Sequence, residues 1–132
     1  MTTLATRGAT SGRPGRNARG AVTAELALVL PLLVAVTMGL AWLLAVGASQ
    51  LRAVDAARET ARAVARGDSP AAALAVGQRV APDGAAVRIS SEGGQVRVTV
   101  TSEVTGPGGI FDALPSARLH AEAVAVMEEG AT

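Results

Sequence analysis

The sequence predicts an α+β protein in which a long N-terminal helix is followed by a small antiparallel β-sheet domain. Three observations lead to this fold class. Residues 26–51 carry no charge, residues 51–66 show a charged and an apolar stripe at helical spacing, and short segments with alternating valines come after residue 85. The first pattern is typical of a membrane helix, the second of an amphipathic helix and the third of strands.

Composition excludes several functional classes. The 132 residues include no Cys, one His and 2% aromatic residues, and the formal net charge is +1. Without Cys there is no disulfide scaffold, thiolate metal site or Cys nucleophile. The low charge and few aromatic rings argue against nucleic-acid binding. We therefore expect no cofactor, no metal, no nucleic acid and no small-molecule substrate.

Charge is divided unevenly along the chain. Residues 1–20 hold four arginines and no acidic residue, which gives +4, whereas the other eight arginines face eleven acidic residues, which gives −3. The first segment is rich in Gly and Thr and has no apolar periodicity, which predicts an unstructured basic leader. We interpret this leader as a cytoplasmic topology signal, with a plain solvated tail as the alternative.

The uncharged run at residues 26–51 predicts a membrane span. As a helix it would be about 39 Å long, more than the roughly 30 Å of a hydrocarbon core. Pro31 is expected to kink or loosen the helix, and Trp42 lies toward its distal end, where interfacial rings are common. A removable secretory signal is the competing interpretation, with small residues at 45–49 for cleavage, but its apolar part is normally only about 7–15 residues long.

The helix is predicted to continue from about residue 22 to residue 66, where Gly67 ends it. Its last part carries an apolar stripe opposite the charged one. The stripe consists of Val54, Ala57, Ala61 and Val64. A half-buried sheet needs a cover for its apolar face, and this stripe is predicted to provide it.

The tail is predicted to hold a short helix at residues 70–80 and a β-hairpin. Alternation at residues 87–90 and 96–101 flanks the turn residues Gly93 and Gly94. Residues 117–127 are interpreted as a third strand, with a helix as the alternative because Ala is frequent there. His120 stands alone in this strand pattern, so we expect a surface residue and not a catalytic one.

The border of the span holds a carboxylate at Glu25. Charges inside a bilayer are costly and usually functional. The alternative is that Glu25 caps the first helical turn at the headgroups and interacts with the helix dipole, with Thr23 as N-cap. Residue chemistry alone slightly favours this alternative.

The junction Arg19-Gly20-Ala21-Val22-Thr23-Ala24-Glu25 resembles the class III signal of type IV pilins. In that family a prepilin peptidase cuts after the glycine, and the glutamate is fifth in the mature chain. The segment RGAVTAELALVLPLL, the helix QLRAVDAARETARAVARGD and the β-rich tail resemble TadE-like minor pilins of the Tad/Flp system. The resemblance implies cleavage between Gly20 and Ala21. It also implies that Glu25 serves subunit assembly by meeting the N-terminal amine of a neighbouring subunit.

What the resemblance implies is a structural pilus subunit and not an enzyme. The chain would divide into a leader (1–20), a long helix (21–67) with its span at 26–51, and a small α+β domain (70–132). The expected partners are the prepilin peptidase, other pilins, the Tad assembly machinery and the membrane. The leader is expected in the cytoplasm and the C-terminal domain outside the cell membrane, with a place in the surface pilus after assembly.

Some questions stay open at this stage. The alternative function is an unprocessed single-pass membrane-anchored protein with an extracytoplasmic interaction domain. Whether a pilus subunit of this kind belongs to the filament or the tip, primes assembly or adheres is not decided by the residues. Ala21 replaces the phenylalanine that is frequent in type IVa pilins, which leaves N-methylation open.

Overall fold

The predicted fold class is confirmed by the computed structural model, which describes residues 15–106, 108–109, 112 and 116–127. A long apolar helix is followed by a short helix and a three-stranded antiparallel sheet. The elements are α1 (Gly15–Ala65), α2 (Pro70–Val80), β1 (Ala86–Glu92), β2 (Gln95–Val104) and β3 (Ala117–Val126).

Helix α1 begins earlier than the sequence pattern predicts. It starts at Gly15 and not near residue 22, and it continues through Pro31. An unstructured backbone over residues 15–20 is therefore a wrong expectation, whereas residues 1–14 of the leader lie outside the described residues. The physical reason is cooperativity: extending an existing helix requires no new nucleus, and Arg and Ala have good helix propensity.

The end of α1 is predicted correctly. Gly67 has a φ of 91°, its N–H donates to the Val64 carbonyl (2.9 Å), and the Asp68 N–H donates to the Ala63 carbonyl (3.1 Å). These two bonds form a Schellman motif, which requires a residue in the left-handed region and so favours Gly. Helix α2 then starts with Ser69 as N-cap, whose side chain accepts from the Ala72 N–H at 3.3 Å.

The sheet has the strand order β1-β2-β3, with both neighbouring pairs antiparallel. Glu92 pairs with Gln95 across the two-residue turn formed by Gly93 and Gly94, whose φ values are 57° and 76°. Two consecutive positive φ angles are the requirement of a type I′ hairpin turn, so the predicted hairpin is confirmed. Residues 117–126 form a strand, and the helix alternative is wrong.

The core lies where the distal part of α1 covers one face of the sheet. Ala53, Ala56, Ala57 and Ala61 are buried against three β2 valines and Ala121 of β3; the valines are Val96, Val98 and Val100. The predicted stripe therefore covers the sheet, but Val54 and Val64 are only half-buried and Ala53 and Ala56 replace them in the core. The alanines allow the helix to come close, and the three valines are among the largest fully buried side chains of the described residues.

Helices α1 and α2 meet at Thr60 and Gly77. Thr60 is fully buried, and its hydroxyl donates to the Ala56 carbonyl at 2.8 Å. A Cβ added to Gly77 would clash with the Thr60 Oγ1 and would lie 3.5 Å from the Ala56 carbonyl oxygen. Gly77 is therefore required at this point by the close approach of the two helices.

Candidate processing and assembly site

The expected cleavage bond between Gly20 and Ala21 lies inside α1. Both residues are exposed, and a Cβ built on Gly20 would meet no atom within 4 Å. Gly is about 1 kcal/mol less favourable than Ala inside a helix, so Gly20 weakens the helix locally next to the bond that a peptidase would have to reach. A side chain at position 20 would cause no steric conflict within the described chain.

Glu25 does not lie where a helix cap would lie. It comes ten residues after the start of α1, and the first turn of that helix contains no acidic residue. Helix-dipole effects fade beyond the first turn, so the capping interpretation does not apply to the full-length helix. Glu25 is exposed, and it forms no ion pair with any side chain that the structure describes.

Thr23 is also inside the helix. Its hydroxyl donates to the Arg19 carbonyl one turn earlier, at 2.9 Å. The expectation that Thr23 acts as an N-cap is therefore wrong, because the helix continues on its N-terminal side. This bond satisfies the hydroxyl locally, as Thr commonly does in apolar surroundings.

The apolar part of α1 fits a membrane anchor. Among the described residues, one helix is long and apolar enough to cross a bilayer: an 18-residue window within Arg19–Ala65 has a mean hydropathy of 2.4, and none of it is buried. Consecutive residues such as Leu32, Leu33 and Val34 are each more than half exposed, so the apolar surface continues around the whole helix. A helix that is apolar on all sides needs lipid or other helices around it.

Two hydrogen bonds join the distal part of this helix to the sheet domain. The Trp42 Nε1–H donates to the Thr105 carbonyl at 3.2 Å, and the Gln50 side-chain amide donates to the His120 carbonyl at 3.1 Å. Next to the first bond lies an apolar groove of about 300 Å³. It is lined by Met38, Ala41, Trp42, Ala45, Val104 and Thr105. Sequence analysis missed these contacts because partners 63 and 70 residues apart leave no local pattern.

The outer face of the sheet is mainly polar, with Val124 and Val126 exposed on β3. Arg97 and Glu122 form an ion pair there, and His120 is exposed, as predicted. Within the described part of the chain, no group of three or more His, Cys, Asp or Glu side chains is placed to hold a metal ion.

Fold and site together define a class: a small α+β domain carried on one apolar helix that fits a membrane anchor. Residues 20–62 match the family described as TadE-like protein, a structural, pilus-associated family. The resemblance drawn from the sequence is thus confirmed: residues 20–62 are similar to TadE-like proteins. A protein of Mycobacterium tuberculosis named apoptosis inhibitor Rv3655c is 39% identical over 83 residues. The similar region covers 63% of this chain and 60% of that protein's length. No solved structure matches the chain significantly.

Proposed function

We propose that the chain is a minor pilin of a Tad/Flp type IV pilus, cut by a prepilin peptidase between Gly20 and Ala21 and assembled through Glu25. The observation that carries the proposal is the junction itself. Gly20, Ala21 and Glu25 stand directly before an uncharged segment, and the TadE-like match begins at Gly20, the last residue of the proposed leader. The proposed division is leader 1–20, long helix 21–67 and domain 70–132.

Cleavage would change the charges at the junction in two ways. It would remove the +4 leader, which otherwise holds the N-terminus at the cytoplasmic surface. It would also create an ammonium group on Ala21, one helical turn before the Glu25 carboxylate. An ion pair between that amine and Glu25 of a neighbouring subunit in an apolar filament would fix their axial register, because removing one partner of a buried pair costs about 3–5 kcal/mol.

Coexpression with a prepilin peptidase tests the cleavage step. The wild-type chain is expected to lose residues 1–20, and N-terminal sequencing of the product is expected to begin at Ala21. Gly20→Val is expected to stay full-length, because a branched side chain replaces the glycine that the peptidase requires. Intact mass measures both outcomes.

A matched control separates recognition from helix damage. Gly39 lies in the same helix, and a Cβ built on it would meet no atom within 4 Å, as at Gly20. Gly39→Val is therefore expected to be cut like the wild type. A wild-type chain that keeps residues 1–20 in the presence of an active peptidase would contradict the processing proposal.

The same sequencing separates the alternative functions. A product that begins at Met1 or Thr2 supports an unprocessed membrane-anchored protein with an interaction domain outside the membrane. A product that begins near Ser49 supports a secreted domain released by signal peptidase.

A further inference from the structure

We infer that the outer boundary of the hydrocarbon core lies at Trp42, and that the sheet domain meets the lipid headgroups at Thr105 and Gly106, which follow β2. This places the span at about residues 22–41, and not at 26–51 as the uncharged run suggests. The inference depends only on the membrane insertion of α1, and it holds whether or not the chain is cleaved or assembled into a pilus.

The first argument comes from the backbone of the loop. Thr105 and Gly106 follow the end of β2, and Thr105 is held against α1 by the bond from Trp42 to its carbonyl. Irregular backbone exposed to lipid is not tolerated in a hydrocarbon core, because its N–H and C=O groups find no partners there. The level of Trp42 must therefore lie at or above the boundary. An indole ring that donates a hydrogen bond is also the side chain most typical of that interface.

The second argument comes from the edge of the sheet. Eight residues beyond Trp42, or about 12 Å along the helix, the Gln50 amide donates to the His120 carbonyl on the edge strand β3. Open strand edges and a polar amide do not lie in hydrocarbon.

The helix length agrees with this boundary. A hydrocarbon core of about 30 Å corresponds to roughly 20 helical residues, so it would begin near residue 22. Residues 43–51 would then cross the headgroup layer, and Arg52 would lie about 15 Å above Trp42. Glu25, about 25 Å below Trp42, would lie about one helical turn inside the inner boundary, where a carboxylate needs a partner.

The depth of Trp42 is directly measurable because it is the chain's one tryptophan. The full chain is placed in phosphatidylcholine vesicles whose acyl chains carry bromine near the glycerol end or near the methyl end. We expect the near-glycerol bromines to quench Trp42 several-fold more strongly. A span at 26–51 would place Trp42 about 5 Å from the bilayer centre, with strongest quenching by the near-methyl bromines. That result, or no quenching by either lipid, would overturn the inference.

A matched variant calibrates the depth. Leu33 is 58% exposed on the same helix, so Trp42→Phe combined with Leu33→Trp moves the probe without disturbing the sheet core. Its quenching is expected to be strongest with the near-methyl bromines. If the two probes report equal depth, the boundary is not at Trp42.

The absence of Cys allows a second, independent measurement. Gly47→Cys, at a position with no atom near its Cβ, is expected to react with a membrane-impermeant maleimide added outside the vesicles. Val36→Cys, eleven residues earlier, is expected to stay unlabelled until detergent is added. A Gly47→Cys chain that is protected to the same degree as Val36→Cys would overturn the boundary.

Discussion

The role that Glu25 can have depends on where the helix around it begins. In the full-length chain it lies ten residues inside α1, exposed and without an ion-pair partner among the described side chains. A capping role would need it in the first turn, and cleavage after Gly20 would move it to the second turn of a new N-terminus. The described contacts of the single chain give the Glu25 carboxylate no partner, whereas the proposed assembly would give it one.

The exchange Glu25→Gln tests this role because it removes the charge and keeps the size. We expect cleavage between Gly20 and Ala21 to continue and the subunit to be lost from sheared pili, since the amine of the neighbour would have no counter-charge. Intact mass and immunoblots of the pilus fraction measure the two effects separately. Normal incorporation of the variant would contradict the assembly role.

Glu59→Gln is the matched control for that experiment. Glu59 lies on the same helix and pairs with Arg62 at 3.3 Å, with both side chains substantially exposed. A surface pair of this kind contributes only about 0–1 kcal/mol, so normal cleavage and incorporation are expected.

At the level of elements, α1 changes its surroundings along its length. Its first part is apolar on all sides and its last part buries only an alanine face against β2. Small side chains on that face allow a close approach of helix and sheet. In the same way, the absence of a side chain at Gly77 lets α2 approach α1 at Thr60. The domain is therefore sensitive to added volume as well as to lost volume.

Gly77→Ala is expected to destabilise the domain by about 1–3 kcal/mol, because its Cβ clashes with the Thr60 hydroxyl. In a Thr60→Ala background the same exchange is expected to cost much less, since the remaining Cβ at position 60 lies at about van der Waals distance from the new methyl group. Amide hydrogen exchange of β2 in detergent micelles measures both free energies. Equal costs in the two backgrounds would show that the clash is not the cause.

Val98→Ala tests the sheet core. Val98 is fully buried at the centre of β2, so losing two methyl groups is expected to cost about 2 kcal/mol. Val124→Ala, at a half-exposed position on β3, is expected to cost less than about 1 kcal/mol. Amide hydrogen exchange of β2 measures both free energies. A larger cost at Val124 than at Val98 would show that the core does not lie on the sheet face that holds Val98.

For the whole molecule the main question is which side of the membrane holds the leader and which side holds the sheet domain. Four arginines precede the span and four follow it close by, so the positive-inside rule hardly discriminates. The following arginines are Arg52, Arg58, Arg62 and Arg66. The prepilin proposal requires the leader in the cytoplasm and the sheet domain outside.

In the Gly20→Val chain, which is expected to keep its leader, protease added to intact spheroplasts is expected to digest the C-terminal domain and leave an N-terminal tag protected. A cytoplasmic marker protein that survives the same treatment confirms that the cells are sealed. A domain that is digested only after lysis would reverse the orientation and would exclude cleavage by a cytoplasmic-face peptidase.

The sequence by itself determined the fold class, the end of α1 at Gly67, helix α2 and the hairpin at Gly93 and Gly94. These features follow from local chemistry: periodicity, caps and positive φ angles are set by neighbouring residues. The structure decided that residues 117–126 form a strand, since the sequence left a helix open there. The residues Gly20, Ala21 and Glu25 also came from a local motif, and their roles remain predictions.

Only the tertiary structure decided which alanines enter the core, why Gly77 is a glycine, and where the sheet domain meets α1. Each of these depends on residues far apart in the chain, such as Trp42 with Thr105 and Gln50 with His120. An uncharged run shows which part of a helix can lie in lipid. It does not show where a loop or strand edge packed beside the helix must stay outside the hydrocarbon core, because that depends on tertiary contacts. For that physical reason the uncharged run predicts a span at residues 26–51, whereas the packing of the sheet domain against α1 leads us to infer a span at about residues 22–41.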